Sequence, residues 1–336
     1  MKIWTPQEIA TLQKLRERFL NGTAGAADYW RSESDLALYD ATFAERIGWK
    51  WDAVLRELTT RGWQPKSRAV LDWGFGTGVA GRRVLEHWPQ MQSLALHDRS
   101  PLAEWCAMGK ARARFPSVRV SKAPAHADSE TLLVLSHVIN ELAPADYARL
   151  LRLARQVREV IWVEAGTHAD SRRLIEAREA LRPEFTPVAP CTHAAGCGLL
   201  KPENARHWCH SFAAPPSTVF QDARWAEWGR EMGIDLRSLP YSFLVLERAA
   251  KPGPPGFSRV IGEPREGKGH LKVLSCQQEG VEEFALQKRD APALFRELRK
   301  GEGTPVYRWS MEAGKIVGGA RFSLQDTPTH SSVPPV

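Results

Sequence analysis

No run of about eighteen apolar residues occurs in this sequence, so an ordinary membrane-spanning helix is excluded. The first twenty residues, MKIWTPQEIATLQKLRERFL, lack the apolar stretch of a secretory signal. Glu8 and Glu17 make the same stretch too acidic for a transit peptide. It reads instead as an amphipathic helix, and a bacterium-like cytosol is the expected compartment. A reducing compartment keeps thiols free, which removes disulfides as the default use of cysteine. Cysteine is itself sparse, five in 336 residues, and no two form the C-x2-4-C knuckle of small zinc sites.

What cysteine there is lies concentrated. Cys191, Cys197 and Cys209 fall within PCTHAAGCGLLKPENARHWC, and Cys276 ends HLKVLSC. The spacing is C-x5-C-x11-C-x66-C, with His193, His207 and His210 interleaved. The flanking Pro, Gly, His and Asn argue against a core strand carrying inert thiols. A metal centre is the better reading. Four thiolates match an all-cysteine [4Fe–4S] cluster, and wide, irregular gaps suit thiolates wrapping a larger inorganic body. Three thiolates with His193 or His207 would equally make a Cys3His zinc site, so spacing alone leaves cluster and zinc open.

A hydrophobic share of 43% and a charged share of 25% are those of a soluble globular chain long enough for a full core. The formal net charge is +7, largely from arginine. Arginines gather at Lys110 to Phe115, at Arg152, Arg155 and Arg158, at Arg172 and Arg173, and from Arg296 to Lys300. Thirteen tryptophans accompany them. Basic surface interleaved with aromatic rings suits a phosphate-rich partner, through counterion release and base stacking. The helical spacing of Arg152, Arg155 and Arg158 fits a solvated helix face equally well.

Residues 1–65 read as a helical segment, ending at Gly62 with Pro65 beyond. Residues 66–250 alternate apolar runs with helical stretches. The runs are AVLDWG, SLALHD, VRVSKA, TLLVLSHV, EVIWVEAG, FTPVAP and YSFLVLER, and a cysteine-bearing insertion spans about 189–215. Such alternation predicts an α/β fold with a parallel, doubly wound sheet. After the linker KPGPPGF, residues 251–325 read as a small β-rich module, and 326–336 as a disordered tail. A metal shared by Cys276 and the other three would pin this module to the preceding domain.

LDWGFGTG places Asp72, Gly74, Gly76, Thr77 and Gly78 between the first strand and a helix. A dinucleotide fingerprint needs G-x-G-x-x-G, and here Val79 occupies the last position. The D-x-G-x-G-x-G form matches the first motif of class I S-adenosylmethionine (SAM) methyltransferases. SAM carries no pyrophosphate, so Asp72 is tolerable beside a positive ligand. Asp98, closing the second strand, is placed to accept from ribose hydroxyls. SHVINEL follows the fourth strand with Ser136, His137, Asn140 and Glu141, where substrate-facing groups or a helix cap would both fit. The N-P-P-[YF] loop that holds an amino group for methylation is missing, and no thiolate is placed for base-carbon chemistry. Methyl transfer therefore stays open.

The segments LDWGFGTG, LLVLSHVINEL, VIWVEAGT, APCTHAAGCGLL, HWCHSF, DLRSLPYSFLVLER and HLKVLSC together resemble a known family over roughly residues 29 to 310. It is the mitochondrial small-ribosomal-subunit methyltransferase-like family typified by methyltransferase-like protein 17, with bacterial relatives. The resemblance implies a class I SAM-methyltransferase (Rossmann-like) core and a role on the small ribosomal subunit and its rRNA; separately, the free chain is expected to be a monomer. The resemblance also implies a [4Fe–4S] cluster on Cys191, Cys197, Cys209 and Cys276, with SAM held by residues 72–78 and Asp98. Cys106 falls outside this set, as a buried helix residue. Thr192 and Gly198 stand where the family pattern has proline, and Ser211 interrupts the usual WCHF. No ligand is lost by these departures. The radical-SAM run C-x3-C-x2-C is absent, so a saturated cluster acting as a staple or iron sensor is expected rather than a catalytic one.

Overall fold

The computed structural model describes residues 3–20, 30–123 and 127–326, so all but the first residue of the expected tail lies outside it. Three helices open the chain: α1 (Pro6–Leu20), α2 (Glu33–Tyr39) and α3 (Glu45–Thr60). The Ser32 side chain caps α2 by accepting from the Asp35 amide. On α3, Trp51, Val54, Leu55 and Leu58 recur at helical spacing and are buried. Gly62, at φ 67°, ends the segment.

The first sheet is then built from β1 (Ala69–Trp73), α4 (Val79–His87), β2 (Ser93–His97), α5 (Pro101–Arg114), β3 (Arg119–Lys122), β4 (Thr131–Ser136), α6 (Pro144–Ala154), β5 (Glu159–Ala165), α7 (His168–Leu181), β6 (Thr186–Ala189), β7 (Ser211–Ala213), α8 (Ala223–Met232) and β8 (Leu239–Glu247). Strand order is β3-β2-β1-β4-β5-β8-β6, with β7 also on β8. It is the doubly wound class I methyltransferase order, with one departure from an all-parallel sheet. β8 runs antiparallel to β5, pairing Tyr241 with Ala165 and Glu247 with Glu159. The cysteine-bearing insertion stays at the carboxyl end of the sheet, so β8 starts there and must run back. On β4 and β5, Leu132, Val134, Ile161 and Val163 face one core, while Leu133, Leu135, Val160 and Trp162 face another. Burial on both sides explains why these strands read as unbroken apolar runs. Each such side chain contributes about 1.5–3 kcal/mol.

The second sheet comprises β9 (Ser258–Val260), β10 (Arg265–Gly267), β11 (His270–Gln277), β12 (Gly280–Gln287), α9 (Pro292–Lys300), β13 (Val306–Glu312) and β14 (Lys315–Arg321). Its order is β10-β11-β12-β14-β13-β9, and β9 also pairs with β11. Five of the strands therefore close on themselves as a barrel. Leu271, Val273, Leu286, Tyr307 and Ile316 fill it, with Leu294, Phe295 and Leu298 of α9.

A buried ion pair ties the barrel to the helical segment. Arg259 of β9 donates from Nη1 to Glu57 Oε1 at 2.6 Å and from Nη2 to Glu57 Oε2 at 3.2 Å. Arg61, on the same side of α3, donates to the carbonyls of Val188, Pro190 and Cys191 at 2.9–3.0 Å. Seven of the thirteen tryptophans are buried, and Trp105 is the prominent exposed one, at 63%. Tryptophan is thus chiefly a core residue here, not a stacking surface. Many clustered arginines serve the fold as well. Arg155 pairs with Glu184, Arg158 with Glu130, and Arg173 donates to the Ile139 carbonyl. Among the described residues no helix is long and apolar enough to cross a membrane.

Candidate functional site

A cavity of about 780 Å3 opens at the carboxyl end of β1, β2 and β4. Gly74, Gly76, Thr77 and Asp98 line it. Gly74 sits at φ 70° and donates to the His97 carbonyl at 2.7 Å. A Cβ there would lie 2.5 Å from Val138 Cγ1, so only glycine fits. Gly76, at φ 56°, donates its amide to Asp98 Oδ2 at 2.9 Å. Asp98 Oδ1 accepts from the Ser100 amide at 3.0 Å, which fixes the carboxylate and leaves further lone pairs for a ligand. Burial raises the Asp98 carboxyl, opposed by these two amides.

Asp72 and Gly78 stand behind the cavity wall. Gly78, at φ 76°, caps α4. Asp72 is fully buried and accepts from the Gly81 amide at 2.9 Å through Oδ2. Burial pushes its carboxyl up to about 7; the Gly81 amide opposes this and Asp98 adds to it.

Another part of the wall comes from the turn after β4 and from α3. His137 holds a left-handed φ of 55°, and its Nε2 is buried without a partner among the described residues. Burial, with Lys50 and Arg46 nearby, keeps its imidazole well below the usual range and therefore neutral. Glu164 shapes the turn from beneath. Its Oε1 accepts from the Val138 and Ile139 amides at 3.0 Å and from Trp162 Nε1 at 2.6 Å. Burial raises Glu164 to about 8. Lys50 lines the same wall and is lowered by burial to about 7. Glu141 is raised by burial to about 7, opposed by Arg99 at 3.6 Å. Ser136 Oγ is already taken, accepting from Trp51 Nε1 at 2.9 Å. Asn140 and Glu141 line the cavity and do not cap α6, which starts at Pro144 after Ala143. Lys50 and Glu164 escaped sequence reasoning. A carboxylate inside the apolar run of β5 was the available signal for Glu164.

A second cavity, small and apolar at about 40 Å3, lies between α7 and the barrel. Cys191, Cys197, Cys209 and Cys276 all line it, beside Arg178, Arg259 and Leu199. All four are half-buried free thiols. Cys276 comes from the outer face of β11, and Cys197 precedes a turn pressed onto β12. A Cβ on Gly198 of that turn would meet the Val281 amide nitrogen at 2.9 Å, so the residue that replaces a proline is needed for close approach. Arg178 Nε donates to Cys191 Sγ at 3.2 Å, and Glu179 Oε1 accepts from the Cys197 amide at 3.2 Å. Serines 171 and 242 both donate to the Cys209 carbonyl at 2.7 Å. Burial pushes Cys197 up to about 11 and Cys209 to about 12, and holds Cys276 well above the thiol range.

Of the histidines, His193 places Nε2 3.7 Å from Cys276 Sγ. His207 accepts from Arg206 Nε at 3.1 Å, and His210 stacks on Trp208 at 4.6 Å; neither lines the thiol cavity. Among the described residues no three His, Cys, Asp or Glu side chains stand close enough to share one metal ion. Cys106 is half-buried on α5, away from this cavity.

Comparison with known proteins follows the same lines. The mitomycin 7-O-methyltransferase structure is 13% identical, with 73% of this chain and 69% of that one covered at a TM-score of 0.36. Geranyl diphosphate methyltransferase in complex with SAM is 12% identical, covering 68% and 95% at 0.36. Plantazolicin methyltransferase, solved with an S-adenosylhomocysteine-bearing complex, is 12% identical, covering 72% and 100% at 0.37. No curated protein matches the chain. A family model described as mitochondrial small ribosomal subunit Rsm22 matches residues 41–307, through the first sheet and into the barrel as far as the start of β13, with all four clustered cysteines. The chain belongs to the Rsm22 family, a methyltransferase-like family linked to the small ribosomal subunit.

Proposed function

We propose that this chain binds SAM in the 780 Å3 cavity and acts on the small ribosomal subunit through its rRNA. One observation carries the SAM assignment. Gly74, Gly76, Thr77 and Asp98 converge on one cavity, which the His137 turn also lines. The backbone turn would seat the amino acid part, and Asp98 the ribose hydroxyls. Within that reading, an acceptor enters along the wall formed by Lys50, His137 and Glu141. His137 stays neutral there, and because burial with Lys50 and Arg46 nearby opposes its protonation, it would orient an acceptor by a hydrogen bond rather than take its proton. Titration calorimetry with SAM tests the site. Micromolar binding is expected, weakened at least tenfold by Asp98→Ala. Absent binding in the parent protein overturns the assignment. Tritiated SAM with immature small subunits then decides transfer: label in rRNA or protein makes the chain an enzyme, and none makes it a SAM-binding assembly factor.

The four cysteines line one cavity, the gathering that a [4Fe–4S] cluster would need. A cluster takes each thiolate on its own iron, so its ligands stand farther apart than those of one tetrahedral ion. Arg178 and Arg259 would offset its negative charge. Cys191, Cys197, Cys209 and Cys276 would hold it, and with no iron left open it would join the barrel to the first sheet rather than react. Iron and sulfide analysis of anaerobically purified protein checks this. Four irons per chain are expected, and one zinc per chain would restore the zinc alternative.

A further inference from the structure

The barrel has a specific strand plan. In barrel order it runs β9-β11-β12-β14-β13 and back to β9. Only β12 and β14 are parallel, and α9 falls between β12 and β13 in the chain. That plan is the five-stranded oligonucleotide-binding barrel, or OB-fold, whose ligand face is the outer surface of its second and third strands, flanked by the 1–2 and 4–5 loops. Here those strands are β11 and β12. The 1–2 loop is residues 261–269, which contains β10, and the 4–5 loop is the turn at Ala313 and Gly314.

Register places side chains on that face. Arg265 pairs with Lys272, Lys272 with Ala285, and Ala285 with Lys315, so three cations share one row across four neighbouring strands. The alternate positions Leu271, Val273, Leu286 and Ile316 are buried inside the barrel, which points the row outward. At about 4.8 Å between strands the row spans about 14 Å. The Arg265 and Lys272 side chains are 64% and 52% exposed, and Glu283 pairs with both. Lys268, Lys288 and Arg289 are exposed at its margin. The lower half of the face is closed. Leu274, Cys276 and Val281 pack there with Ile175, Leu199 and Ile261.

We propose that the open half of this face, centred on Arg265, Lys272 and Lys315, docks the phosphate backbone of single-stranded RNA. The inference rests on the rRNA reading above and locates its contact. Positive charge laid across an OB face matches a polyanionic strand. The row carries no aromatic ring, so contact is to phosphates and tolerant of sequence.

The test uses the full chain and a fluorescein-labelled oligouridylate, read by anisotropy over a range of salt. Arg265→Glu/Lys272→Glu/Lys315→Glu should weaken Kd at least tenfold and flatten the log–log salt slope by about 2, at about 0.7 per phosphate contact. A control reversing equal charge on the first domain, Arg119→Glu/Arg152→Glu/Arg230→Glu, should stay within about threefold of the parent. If the triple barrel variant melts early, Lys315→Ala alone should still flatten the slope by about 0.7. Parent-like binding by the barrel variants, or an equal loss in the control, overturns the proposal while leaving the rRNA reading intact. Loss of small-subunit binding with oligouridylate binding kept also overturns it, because the face then meets protein. A parent chain that binds neither oligouridylate nor small subunits defeats both readings.

Discussion

Gly74 shows how a single position decides whether the glycine-rich turn after β1 can form. Its positive φ and the 2.5 Å approach of Val138 Cγ1 leave no room for a methyl group. Gly74→Ala should cost at least about 1–2 kcal/mol from the left-handed backbone alone, with the clash in addition. Val138→Ala in the same chain should recover the clash but not the backbone part, and paired melting curves would show a partial rescue. Full recovery would mean that strain at φ 70° is unimportant. Asp72 gives a pH signature. Its folded carboxyl lies at about 7, above the unfolded value near 3.9. The native state therefore holds a proton that the unfolded chain has released between those values, and stability from this group falls as pH rises through that window. Asp72→Asn should gain on the parent in melting temperature from pH 4 to 7 and gain nothing further above it. A gap that does not move with pH would show that the carboxyl titrates normally.

At the scale of elements, α3 is the hub. Its Glu57 meets Arg259 of β9 through both carboxylate oxygens, and its Arg61 holds the carbonyls leading into Cys191. Burial alone would raise Glu57, but Arg259 and Arg61 hold it below the usual carboxylate range. Glu57→Ala leaves a guanidinium buried and unpaired, and should cost about 3–5 kcal/mol by chemical denaturation. The paired Glu57→Leu/Arg259→Met replacement should recover most of that loss. Cys276→Ser should lower iron content and expose residues beyond 250 to limited proteolysis; unchanged iron and unchanged cleavage would refute a shared centre. The parallel strands and the glycine turn after β1 were legible in sequence, because apolar runs and left-handed glycines are local constraints. The direction of β8 was not, since nothing in YSFLVLER encodes which end of the sheet it enters. Barrel closure was hidden too, because β9 is three residues long and carries Arg259, whose partner lies 202 positions away.

For the whole molecule, two sheets share one seam, and the seam is where the cysteines meet. The sequence made the four thiols the candidate centre, and the structure brings them to one cavity. It could not reveal Arg178 beside Cys191, because that arginine looks like any other on a charged helix. Nor could it show that most tryptophans are core, which moves the expected RNA contact from rings to the lysines and arginines of the barrel. That reassignment implies a steep salt dependence with little base preference. Oligouridylate and oligoadenylate should bind within about threefold of each other, whereas a stacking surface would separate them.

The Glu57–Arg259 clamp also imposes a timetable. During synthesis the amino-terminal half emerges first, and domains ordinarily fold as they appear. Here α3 presents its carboxylate long before the matching guanidinium has been made. The four-thiol seam likewise waits for Cys276, made long after Cys191, Cys197 and Cys209. A nascent chain stalled short of both points has Arg61 beside Glu57 but not yet Arg259, and an open thiol seam. Synthesis of the barrel strands that carry Arg259 and Cys276 thus completes contacts begun much earlier in the chain.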